Sequence, residues 1–224
     1  MTRLALWPLA RARRGADRLA VPTPTQQGIV INHAHDRTSG DVLSALRLAT
    51  ADRHTLLDTG LPLGGAHPTL GDYGDHLRML RAWLAPLEAW LAGFHDGPQA
   101  ALAPVQRLAL IDDDLAHPLI APARAQAALQ QAWPQHASAA YRWGVCYVVE
   151  GSQLGGAVLH QKLAAQLAPH PLRYLRPDGA GPGPRWRQFM LALKEGVRSE
   201  GEIADACRGA CDAFDRILAL RPAN

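Results

Sequence analysis

With 224 residues, 48% of them hydrophobic and 19% charged, the chain has length and apolar content for one globular domain with a real core, which excludes a disordered polypeptide. A net charge of +3 leaves room for an anionic small ligand but supplies no clustered basic face of the kind nucleic acid requires. Three cysteines are too few for a disulfide framework, and no CxxC or His-rich spacing suggests zinc. Cys207 and Cys211 share a helix face without being placed to bridge each other, as buried thiols of a reducing compartment would.

No run approaches the roughly 20 apolar residues of a membrane helix, so no membrane partner is expected. The stretch Leu4–Ala10 is short, holds Pro8 and runs into Arg11, Arg13 and Arg14, a poor secretory signal. A cytoplasmic location is expected.

Residues 1–40 lack sustained periodicity and carry Pro22, Pro24, Gly28, Asn32 and Gly40, so they read as a flexible tail outside a single domain spanning 41–224. From Asp41 onward nearly every segment has helical spacing, and the expected fold is an all-α, single-domain helical bundle. Ser39 or Asp41 can cap a first helix over 41–59, stopped by Gly60 and Pro62. Further helices are predicted over 71–94, with Pro86 as a kink or break, and over 99–115 and 122–133. A long helix is predicted over 135–168, a loop over 169–184, and two last helices over 185–196 and 199–220. No internal repeat is visible.

Two of these helices carry chemistry. In the first, Leu43, Arg47, Thr50, His54 and Leu57 recur at alternating spacings of four and three, which puts them on one face. The stripe suits burial, and Arg47 and His54 are its odd members. A neutral imidazole is a good iron ligand. Arg47 stands seven residues earlier, at nearly the same azimuth and about 10 Å along the axis, where it could meet a carboxylate at the rim of a broad ligand. A hydrogen-bonded core histidine is the other account of His54.

The long helix holds Gly144, Gly151, Gly155 and Gly156, and each interior glycine costs about 1 kcal/mol relative to alanine. Gly144, Gly151 and Gly155 share a face, so something there requires missing side chains. A flat macrocycle is one candidate and a neighbouring helix, packed small-residue to small-residue, is the other. Ser152 and Gln153 bring a hydroxyl and an amide beside these glycines; they could position water near a bound diatomic, or bond the helix backbone.

Together, LRLATADRHTLLD and YVVEGSQLGG resemble the first and distal helices of the haem oxygenases, in particular their bacterial branch that includes bacteriophytochrome-associated enzymes. LALIDDDLAHPL and RWRQFMLAL resemble weaker family segments between and after them. The resemblance implies a haem oxygenase-like bundle with haem sandwiched between a proximal and a distal helix. It implies His54 as the iron ligand, Gly151, Gly155 and Gly156 against the haem, and Arg47 and Arg187 on its propionates. Haem would be both substrate and cofactor, with dioxygen and electrons from an external ferredoxin- or flavoprotein-type donor. The products would be biliverdin, carbon monoxide and ferrous iron, with a bacteriophytochrome as a possible recipient of biliverdin. Many animal-type members carry an aspartate where this chain has Ser152, so the distal water network here needs other groups. Ser152, Gly151 and Gly155 are the residues expected at the reacting face.

Two other readings compete. A haem carrier or sensor would keep His54 and add a second axial ligand, for which His160 is the candidate, although it lies two turns beyond Gly151. A non-haem enzyme of the same fold, thiaminase-like or quinone-cofactor-synthase-like, would need other chemistry; Cys146 is the nucleophile to consider, among apolar neighbours that suggest an inert thiol. Asp112, Asp113 and Asp114 read as a solvated acidic face.

Overall fold

In a computed structural model, residues 41–122 and 132–221 are described. The expected tail 1–40 and most of the helix expected over 122–133 lie outside the described residues. The described chain is all-helical, as the periodicity predicts.

Helix α1 spans Val42–Gly60, and the Asp41 side chain caps it by accepting from the Leu43 amide. A 3-10 turn over Pro62–Gly64 leads to α2, Leu70–Leu91, which opens with a reciprocal capping box between Thr69 and Asp72. Pro86 neither breaks nor ends α2: it is solvent-exposed, while Leu84 and Leu87 beside it are buried and hold the helix to the core. The helix expected over 99–115 is divided into α3, Pro98–Ala101, and α4, Arg107–Leu115. Leu102 is extended and Pro104 follows two residues later, which stops a continuous ladder. Then come α5, Ala139–Leu163, α6, Gly183–Gly196, and α7, Glu200–Ala219.

Helix α5 is the axis of the molecule, with every residue from Ala140 to Gly151 buried. Helix α7 crosses it through small residues: a Cβ at Gly144 would overlap the backbone of Ala206 and Ala210, and one at Gly209 would overlap the Tyr141 carbonyl. Gly144 therefore answers to helix packing, so the glycine face expected from the sequence divides between two partners. Helix α1 packs on the same α7, and through it α1 and α5 are held on either side without an extensive contact of their own.

The acidic run on α4 divides as well. Asp112 and Asp113 are exposed, but Asp114 is wholly buried and is not part of a solvated face. Its carboxylate accepts from the Tyr73 hydroxyl at 2.7 Å and the Tyr174 amide at 2.9 Å, and Arg173 lies 3.5 Å away. One carboxylate thus ties α2 and α4 to the loop before α6, the requirement for burying a charge. No helix among the described residues is long and apolar enough to cross a membrane.

Candidate active site

A slot lies where the second half of α5 faces the C-terminal half of α1. Gly155, Gly156 and Ser152 form its α5 wall, Leu57, Asp58 and Leu61 its α1 wall, and His76 and Met79 its α2 side. Tyr174 and Leu175 of the loop before α6 close the remaining side. Its volume is about 60 Å³, below the roughly 300–1,000 Å³ of a small-molecule site. A broad ligand would have to part α1 or the 174–175 loop from α5.

His54 lies one turn before Leu57 and Asp58 on the same face of α1, 7% exposed, with its ring 4.4 Å from that of Phe214 on α7. Burial pushes its pKa down to about 4, so the imidazole is neutral at pH 7, the form that can ligate a metal. Leu43 and Thr50 are buried with it, as the stripe predicts, whereas Arg47 is exposed. The Arg47 charge acts on the hydroxyl of Tyr147, whose ring lies 5.6 Å from Trp186 of α6. Arg187 is the next residue in α6 and is exposed, pointing away from Trp186 by about 100° around the helix.

Ser152 Oγ donates to the Val149 carbonyl at 2.7 Å, the backbone bond that sequence reading set against a water-positioning role. The Gln153 amide donates to Ser152 Oγ at 3.3 Å and to the Tyr174 hydroxyl at 3.2 Å. These three side chains form a polar cluster at the edge of the glycine wall. Gly151 is buried one turn before Gly155.

His160 does not line the slot, and Cys146 lies on another face of α5, its thiol pushed up to about 12 by burial. Sequence reasoning missed three residues. His76 lines the slot with Nδ1 buried and lacking a hydrogen-bond partner among the described residues, and burial lowers its pKa to about 4. Its place in the stripe Tyr73, His76, Leu80 was the available signal. Tyr174 sits in an aperiodic loop and gave none. Glu150, directly before Gly151, is buried between Arg107 (2.7 Å) and Arg185 (2.7 and 2.8 Å).

No family profile matches the chain. A segment is 41% identical over 87 residues to a heme oxygenase of Xanthomonas campestris pv. campestris (strain 8004), covering 36% of this chain and 50% of that protein. The chain thus spans about half the length of the curated relative it matches. Among solved structures, the heme oxygenase of Neisseria meningitidis, determined with NO and CO bound, superimposes with a TM-score of 0.56 at 21% identity, over 81% of this chain and 90% of that one.

The fold is that of the haem oxygenase-like all-helical proteins. Within that class the chain resembles the haem oxygenases themselves, as the two motifs in its sequence imply.

Proposed function

We propose that the chain is a haem oxygenase, cleaving haem oxidatively to biliverdin with release of carbon monoxide and ferrous iron. The observation that supports the reading is a buried, neutral imidazole on α1, one turn before the residues that line the slot and not itself among them, while Gly155 and Gly156 of α5 form a wall of that largely apolar slot. Held there, haem would supply its own iron chemistry and serve as its own substrate, with dioxygen and electrons from outside.

The chain's own part is placement. His54 would hold the iron, and its neutrality at pH 7 means that no proton has to leave first. Gly155 and Gly156 would keep the slot's α5 wall free of side chains, and Gly151, buried one turn earlier, would extend that wall, leaving space for a small ligand beside the macrocycle. Arg47 and Arg187 would take the propionates by charge-assisted bonds and so fix which edge of the ring faces the glycine wall. Because the Ser152 proton is committed to Val149, its oxygen serves as an acceptor. Proton delivery then falls to water organised by Ser152, Gln153 and Tyr174, the last kept protonated because burial raises its pKa. The electron donor would be a ferredoxin- or flavoprotein-type protein in the cytoplasm, and a bacteriophytochrome is a fitting recipient of the product.

The test is a titration of the purified protein with haemin, followed by a reductant under air. A Soret band that forms stoichiometrically and gives way to biliverdin absorption supports the reading. A Soret band that persists unchanged argues for a carrier, and no saturable Soret band argues for a non-haem protein.

A further inference from the structure

A cavity larger than the slot lies elsewhere in the molecule. It has a volume of about 450 Å³, within the range of small-molecule sites. It lies between the end of α2, the 94–107 segment and α5. Its α5 lining is Cys146, Val149 and Glu150, whereas the slot is lined by Ser152, Gly155 and Gly156. At about 100° per residue those two sets point roughly 120° apart around the helix, and the second lies about two turns further along it. Leu87, Leu91, Leu102 and Val105 make most of the cavity apolar.

Its polar end is built from four charged side chains. Glu150 is fully engaged by Arg185 and Arg107. Arg107 is only 8% exposed in its side chain, and its Nε has no hydrogen-bond partner among the described residues. Glu88 lies 4.0 Å from Arg107, beyond hydrogen-bond reach, and its Oε1 is likewise buried without a hydrogen bond among the described residues. A buried donor or acceptor left unmade is costly, so this wall holds one open donor and one open acceptor.

At neutral pH two guanidinium groups face two carboxylates, and the wall is balanced in charge. A carboxylate ligand would meet Glu88 with no spare cation, and a cationic one would meet two arginines. A neutral group that accepts from Arg107 and donates to Glu88 satisfies both open atoms at once. A primary amide or a lactam presents a C=O and an N–H on one edge in this way. We propose that this cavity is a second ligand site, displaced along α5 from the slot, for a small apolar molecule carrying an uncharged amide or lactam edge.

Benzamide, benzoate and benzamidine share a ring and a planar head and differ in charge, so they isolate the point. Each is titrated into the full chain without haem at pH 7, followed by ligand-observed NMR. Wild-type protein should bind benzamide saturably, in the roughly millimolar range of so small a molecule, and about tenfold more tightly than the other two. Glu88→Leu should weaken benzamide about tenfold and make benzoate the preferred ligand, because two arginines then face one carboxylate. Arg107→Met should also weaken benzamide, with Glu150 still held by Arg185. Preference of the wild type for benzoate or benzamidine overturns the proposal. So does non-saturable benzamide binding, or benzamide affinity that ignores Glu88→Leu, a change on a partly exposed side chain that a folding defect would not turn into a benzoate preference. Haem is absent throughout, so these outcomes are independent of haem chemistry.

Discussion

Gly144 of α5 and Ala206 of α7 meet backbone to backbone, so closely that a methyl group at Gly144 would overlap the Ala206 carbonyl. Gly155, eleven residues along the same helix, lines the slot instead. The two glycines should therefore fail differently. Gly144→Ala should cost roughly 3 kcal/mol by forcing α5 and α7 apart, read as a lowered urea midpoint. Gly155→Leu should leave that midpoint within about 1 kcal/mol and abolish saturable haemin binding. Retained haemin binding in the leucine variant would refute the role given to the glycine wall.

His54→Ala should remove the native iron coordination and nearly all biliverdin formation. Added imidazole should restore part of the Soret spectrum by entering the space left against Phe214. A variant with wild-type spectrum and turnover would place the ligand elsewhere, and His76, which lines the slot itself, is the next side chain to replace.

Two histidines, His54 and His76, make stability depend on pH. His54 and His76 have folded-state pKa values lowered to about 4 from an unfolded value of 6.5, so the unfolded chain binds more protons between those limits. Their contribution is fully present above pH 6.5 and is lost as pH falls towards 4. At pH 5 each should cost up to about 2 kcal/mol relative to pH 7. Urea denaturation at the two pH values checks the sign, and the His54→Ala, His76→Ala double variant should show a flatter profile.

Asp114 is the buried charge that the fold depends on. Asp114→Ala leaves the Tyr73 hydroxyl and Tyr174 amide without their acceptor, a loss of roughly 3–5 kcal/mol by analogy with broken buried pairs. Chemical denaturation measures it. Because Tyr174 also closes the slot, haemin affinity should fall with stability in this variant, whereas Asp113→Ala, at an exposed position, should change neither.

Cys146→Ser should leave haem cleavage within about twofold of wild type, since a thiol raised to about 12 by burial is no nucleophile at neutral pH. Loss of activity with an unchanged haem spectrum would instead favour the thiol-dependent reading of the fold.

The limits of α1, α2, α6 and α7 and the face carrying His54 were legible in the sequence because they depend on local periodicity and caps such as Asp41 and Ser199. The split between α3 and α4 was foreshadowed only by Pro104, and Pro86 does not break α2 because exposed proline costs a backbone bond that flanking buried leucines can outweigh. Asp114 and its neighbours Asp112 and Asp113 look alike in a run of three; only the direction each takes on α4 makes one of them a core residue.

Sequence by itself determined that a histidine would be buried on α1 and that α5 would be stripped of side chains, since spacing decides which residues share a helix face. Tertiary structure alone decided what each bare stretch confronts, helix α7 at Gly144 or the slot at Gly155, and which ions meet at Glu150. Those pairings join residues dozens of positions apart, and their partners are selected by how helices cross, which no local pattern encodes.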